Sequence, residues 1–210
     1  MDGLLLDSEI LWHKAEIEIF SALGVPMDGA EGRGTKGMYV NEVVEYMYAR
    51  SPWTGPSQQD VVALLLQRVG DLVESEGRLL PGAVRALDRC GERGPLALAS
   101  STPMDLIVRC LVHFDLLERF VSLHSAEFEP YGKPHPGVFL SAAVSLDVAP
   151  KACLVFEDSA AGVLAAKAAN MTVVAVPVAH DRTQPVFALC DLVLDSLEDL
   201  RAEWLDERFA

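Results

Sequence analysis

Positive charge is scarce in this chain. Lys and Arg number 17 against 31 Asp and Glu, and the formal net charge is -14. No broad basic surface can therefore neutralise a nucleic-acid backbone, which excludes nucleic acid as a partner. The same field repels phosphorylated small molecules, so a site for one must carry its own local cation. Long hydrophobic runs are missing as well: nothing approaches the ~20 residues of a membrane-spanning helix. No basic leader followed by an apolar stretch marks a secretory signal. Cysteine is sparse, with Cys90, Cys110, Cys153 and Cys190 forming no Cys-x-x-Cys pair. Each sits among aliphatic neighbours, so buried free thiols are expected rather than zinc ligands or disulfides. A reducing cytoplasm is the expected compartment.

What is present is ample apolar material: 50% of the 210 residues are hydrophobic. That supports one large domain, or a domain with a small insert. The second half alternates short β-rich runs with helical patterns. Leu96–Ser100, Phe120–Ser125, Cys153–Glu157, Val173–Val176 and Leu192–Leu194 read as strands. They are apolar without strict alternation, as in a parallel sheet covered on both faces. Between them, Gly82–Arg93, Pro103–Phe114, Pro136–Leu146 and Ala160–Ala169 read as helices. Gly94 suits a helix C′ position, and Pro103 and Pro136 suit first turns. This alternation predicts an α/β fold with a doubly wound parallel sheet. The region from Leu11 to Leu79 breaks the rhythm, with helices near Glu9–Leu23, Val40–Ala49 and Gln58–Glu74. Ser57 is a plausible N-cap for the third. The predicted division is a core of residues 1–10 and 80–210 and a helical insert of residues 11–79.

Ligands bind at the carboxyl ends of strands in such sheets, and four clusters fall there. Asp2-Gly3 offers a carboxylate for acid–base work and a backbone carbonyl for a metal; an ordinary turn reads the same way. Ser100, Ser101 and Thr102 follow a strand and precede a helix, so a hydroxyl and free amides can hold an anion or merely cap the helix. Lys133 stands before Pro134 and Pro136, which stiffen its loop. A fixed ammonium can neutralise phosphate and an attacking carboxylate, though a plain surface loop is the alternative. His135 is expected to pack or cap. Glu157-Asp158-Ser159 ends a strand with adjacent carboxylates, which suit Mg²⁺ or an acidic helix cap.

The order Asp-Gly, Ser, Lys-Pro, Glu-Asp resembles that of the haloacid dehalogenase-like hydrolases, from Asp2 to about Leu200. The insert resembles that superfamily's four-helix cap. Asp2–Trp12, Tyr48–Ser57, Leu79–Gly82, Ser125-Ala126-Glu127, Lys133–Pro136 and Glu157-Asp158-Ser159 are similar to bacterial phosphatases of 2-deoxyglucose 6-phosphate and hexitol phosphates. The resemblance implies a cytoplasmic, monomeric, Mg²⁺-dependent phosphatase of small sugar phosphates. Asp2 would be the acid/base and lend its backbone carbonyl to the metal. Ser100 and Ser101 would hold the phosphoryl group, with Lys133 balancing its charge. Asp158 and Glu157 would serve the metal. Lys36 and Tyr39 stand in the cap segment where relatives carry a substrate-reading arginine. The same resemblance places a nucleophilic aspartate directly before Met1, at the end of a first core strand missing from this chain. The natural chain is therefore expected to extend upstream. Two alternatives stay open: a phosphosugar mutase like β-phosphoglucomutase, and an inactive phosphate-binding protein should Met1 be the true start.

Overall fold

The computed structural model describes residues 1–27 and 39–209, in two compact units. One comprises Met1–Leu6 and Leu79–Ala210, the other Asp7–Arg78.

The smaller unit is helical, as its sequence periodicity predicts. Helices α1 (Glu9–Ala22), α2 (Val40–Arg50) and α3 (Gln58–Glu76) pack together, α3 contacting both others. Helix α3 starts where Ser57 can cap it: the Ser57 hydroxyl accepts from the Asp60 amide at 3.2 Å, and the Asp60 carboxylate accepts from the Ser57 amide at 3.0 Å. Two of the helix's orphan donors are satisfied reciprocally. Val61, Leu65, Val69, Leu72 and Val73 then fall on one stripe and are all buried. In the turn between α2 and α3, Trp53 is buried edge-on to Tyr48, with ring centroids 4.7 Å apart. Its indole N–H donates to the Pro56 carbonyl at 3.1 Å, which supplies the partner a buried indole needs.

Helix α1 also holds a carboxyl at odds with its surroundings. Burial pushes Glu16 up from 4.5 to about 7. The folded state thus prefers the protonated form. Its contribution to stability is fully present below the unfolded pKa and is lost as pH rises through the folded value. Glu16→Gln removes that liability. The variant should match its parent near pH ~5 and exceed it by about 1–3 kcal/mol near pH ~8, as urea midpoints at the two pH values will show.

The larger unit carries the strands β1 (Ala97–Ser100), β2 (Ser122–Ser125), β3 (Leu154–Glu157), β4 (Thr172–Ala175) and β5 (Leu192–Val193). All pairings are parallel. Its helices are α4 (Ala83–Gly91), α5 (Met104–His113), α6 (Gly137–Ser145), α7 (Ala160–Ala168) and α8 (Ala202–Phe209). Helix α6 packs on β1 and β2, and α7 on β3 and β4. This is the expected α/β architecture with one difference. The described strands form two parallel sheets, β1-β2 and β3-β4-β5, rather than one. No described strand pairs with the second edge of β1 or of β3.

Helix termination also differs from expectation. Gly94 is not left-handed; α4 closes through the Arg93 and Gly94 amides donating to the Cys90 carbonyl. The left-handed stops belong to Asp115, Asp147 and Asn170, with φ of 55, 54 and 61° after α5, α6 and α7. In each case the next residue's amide reaches back five positions, as Leu116 to Leu111, Val148 to Ala143 and Met171 to Ala166. Each is an apolar residue that folds back under the helix end it closes. Asp and Asn adopt this backbone more readily than other side chains, so each helix can stop without a glycine. All four cysteines are free thiols, and of these Cys110 is fully buried while the others are half-buried. None of the described helices is long and apolar enough to cross a membrane.

Candidate functional site

The carboxyl ends of β1 and β3 meet around Lys133. Its ammonium donates to the Glu157 carboxylate that ends β3 and lies 3.5 Å from the Ala99 carbonyl near the end of β1. It also rests over the Phe139 ring, 4.7 Å from its centroid. Both members of the ion pair are buried, with 9% and 7% of their side chains exposed. Burial works against the Glu157 carboxylate, but the Lys133 charge and hydrogen bond, with help from Ser159, hold it below the usual carboxylate range. Ser159 donates to the same carboxylate at 3.0 Å and then caps α7 by accepting from the Gly162 amide.

Two glycines give the acidic residues room. A Cβ on Gly162 would lie 2.0 Å from the Glu157 carboxyl, so the first turn of α7 must be bare there. Gly162→Ala should therefore push the carboxylate off Lys133 and cost about 1–3 kcal/mol, in line with other overpacked cores. A denaturant midpoint unchanged within error would refute this. A Cβ on Gly3 would lie 2.3 Å from the Asp158 carboxylate, and Gly3 has a φ of 64°. Asp158 is thus seated directly against the Asp2-Gly3 turn.

Asp2 is tied to β1 from the other side. Thr102, buried in the turn after β1, donates its hydroxyl to the Asp2 carboxylate at 2.7 Å. That turn is itself pinned by the end of β2. Ser125 donates to the Thr102 carbonyl at 2.7 Å, and the Glu127 carboxylate accepts the Met104 amide at the start of α5 at 3.0 Å. The structure thus brings together Asp2, Ser100, Lys133, Glu157 and Asp158. The Ser100 hydroxyl accepts from the Thr102 amide at 3.2 Å, which leaves its own O–H to donate. Ser101 is half-buried beside it. His135 accepts from the Gly137 amide, the capping role expected of it. Tyr39 begins α2 in the smaller unit, and Lys36 lies outside the described residues. The sequence singles out Thr102 only as part of a hydroxyl run, and Ser125 and Glu127 only within a stretch that resembles relatives, without the contacts that give them their roles. A run of three hydroxyl residues after a strand signals a turn, but not which hydroxyl faces Asp2.

The donors offered to a metal are hard oxygens, as Mg²⁺ prefers. Among the described residues no group of three or more metal-binding side chains gathers. Glu157 is engaged by Lys133 and Ser159, so Asp158 and the Asp2 backbone carbonyl are the better-suited pair. Mg²⁺ commonly keeps several waters and takes only one or two carboxylates, and such a small donor set fits it.

A family model described as haloacid dehalogenase-like hydrolase matches residues 1–170. The chain is 44% identical to hexitol phosphatase B of Escherichia coli over 97% of its length and 92% of that protein. It is 28% identical to the β-phosphoglucomutase of Bacillus subtilis over 100% of its length and 92% of that protein. The crystal structure of CbbY from Rhodobacter sphaeroides in complex with phosphate matches with a TM-score of 0.84. Identity there is 28%, covering 95% of this chain and 93% of that one. A carboxylate-rich site at the ends of parallel strands, found inside these matches, leaves one assignment: the chain belongs to the haloacid dehalogenase-like hydrolases.

Proposed function

We propose that the protein is a Mg²⁺-dependent phosphatase of small sugar and sugar-alcohol phosphates, hexitol phosphates foremost. One observation carries the reading: Asp2, Lys133 and Asp158 converge at the carboxyl ends of β1 and β3, with Asp158 seated against Gly3. The 44% identity to a hexitol phosphatase supplies the substrate class. We assign the larger unit to the catalytic core and the smaller to the cap, with Lys36 and Tyr39 as substrate-reading candidates. The four free thiols suit a reducing cytoplasm, and we take the working form to be a monomer.

In this reading each residue has one task. Asp2 donates a proton to the departing sugar oxygen and then takes one from the attacking water. Thr102 holds that carboxylate in place. Lys133 neutralises negative charge on the phosphoryl group, and Ser100 and Ser101 donate to its oxygens. Glu157 keeps Lys133 aimed. Asp158 and the Asp2 carbonyl would hold Mg²⁺, which when bound offsets charge on the phosphoryl oxygens. The route runs through an aspartyl-phosphate, with an aspartate as its nucleophile.

The β-phosphoglucomutase match keeps one rival in view, since the same residues serve a mutase that retains its intermediate. Product analysis separates them. The protein isolated from its own cells, given a hexitol phosphate and Mg²⁺, should release inorganic phosphate and free hexitol in equal amounts. An isomeric sugar phosphate accumulating without free phosphate would establish the mutase. Binding without any turnover would establish a phosphate-binding protein.

A further inference from the structure

The turn from β1 into α5 is where the sequence predicts backbone amides for an anion. The structure commits those amides elsewhere. The Thr102 amide donates to the Ser100 hydroxyl at 3.2 Å. Pro103 has no N–H to give, and the Met104 amide donates to the Glu127 carboxylate at 3.0 Å. The start of a helix attracts negative charge, and here the chain supplies its own.

Glu127 is held at both its backbone and its side chain. It lies in the 3₁₀ turn Ala126–Phe128 that follows β2, and its amide donates to the Ser125 hydroxyl at 3.1 Å. Ser125, itself buried, donates to the Thr102 carbonyl at 2.7 Å. Two bonds from the end of β2 thus clamp the turn, one at residue 102 and one at residue 104. The carboxylate is fixed in place, yet Glu127 remains exposed and open to a ligand. Asp105, exposed in the first turn of α5, adds a second negative charge. Ser100 and Met104 stand two residues either side of Thr102, each within about 7 Å of it, Cα to Cα. Thr102 in turn bonds Asp2, so the Met104 end of the turn carries carboxylates close to the acid/base group, while Ser100 offers a hydroxyl at the other.

We propose that Glu127 is a specificity-determining residue, facing the far end of the bound substrate and excluding a second anionic group there. The proposal rests on the phosphatase reading above and narrows its substrates to phosphomonoesters whose other end is neutral, as a hexitol's is. A carboxylate or second phosphate at that end meets the charges of Glu127 and Asp105 at short range. To use the Met104 amide it must also displace the carboxylate already bound there. A neutral hydroxyl instead donates to the Glu127 oxygens, which accept.

Two substrates that differ only at the far end provide the test. Glucitol 6-phosphate ends in a hydroxymethyl group, and 6-phosphogluconate ends in a carboxylate. Phosphate release by the form that turns over substrate should favour glucitol 6-phosphate in kcat/KM by ~10-fold or more. Glu127→Gln keeps an oxygen for the Met104 amide and removes the charge. It should shrink that preference by ~5–10-fold, mainly through a lower KM for 6-phosphogluconate. The control Glu118→Gln removes the same charge at an exposed position in the 3₁₀ turn Leu117–Arg119, and should leave the preference as it is. A parent that does not distinguish the substrates overturns the proposal, as does an unchanged preference in Glu127→Gln or an equal change in Glu118→Gln. Loss of both activities by one factor, with a lower melting midpoint, overturns it by making Glu127 a structural cap. Phosphate released from neither substrate by the parent would overturn the phosphatase reading itself, and the role of Glu127 with it.

Discussion

Lys133→Met should destabilise the protein by about 3–5 kcal/mol, as removal of one partner from a buried ion pair generally does. The side chain is nearly isosteric, so packing over Phe139 is kept and the loss is electrostatic. Glu157 is then a buried carboxylate without its counter-charge, enclosed by the backbone of Gly162 and the end of β3. Ser159 still donates to it, but one hydroxyl does not replace an ammonium. Pairing Lys133→Met with Glu157→Leu should recover most of the stability, because two apolar side chains need no counter-charge. Urea unfolding of the single and double variants closes the cycle, with the coupling read from midpoints at unchanged slope. Equal stability of the single variant and its parent would show that the pair holds nothing together.

Asp2→Asn should lower kcat about 10²–10⁴-fold, the usual worth of a positioned general acid and base. The fold offers a clean comparison. An asparagine oxygen can still accept from the Thr102 hydroxyl that now donates to Asp2 at 2.7 Å. Geometry and stability should therefore survive, with stability inside ~0.5 kcal/mol of the parent, while proton transfer is lost. KM should move far less than kcat, since no sugar contact is removed. A kcat within threefold of the parent, measured on the form that turns over substrate, would strip Asp2 of this role. A large fall in the melting midpoint would instead make it a structural residue.

Much of the fold was legible in the sequence because strands and helices in this chain carry uninterrupted local signals. The runs around Leu98, Leu123, Val155, Val174 and Val193 are short, apolar and rich in β-branched or aliphatic residues, and each became a parallel strand. Ser57 with Asp60 announced the start of α3. The helix stops were harder to read. Glycine is the usual sign, but Asp115, Asp147 and Asn170 make the turn with local polar side chains, which resemble any exposed acidic or amide residue. The division of the sheet depends on which strand edges find partners, a long-range property that no local pattern encodes.

The site was legible in kind and not in detail. Strand-end positions pointed to Asp2, Ser100, Lys133, Glu157 and Asp158, and the fold gathers them. Roles within the group turn on which atoms meet. The adjacent carboxylates Glu157 and Asp158 look equivalent in sequence, yet successive residues leave a strand on opposite faces. One meets Lys133 and the other meets Gly3. Thr102 was one of three successive hydroxyl residues, and only the register of the turn decides that it reaches Asp2.

The most direct test of the mechanism is a single turnover of a phosphate-labelled substrate by the protein isolated from its own cells, quenched at successive times. Label should pass first onto the protein, in an acid-stable linkage that hydroxylamine cleaves, and only then into free phosphate. Free phosphate rising with no protein-bound label at any time would contradict phosphoryl transfer through an aspartate, and with it the catalytic roles of Asp2 and Lys133.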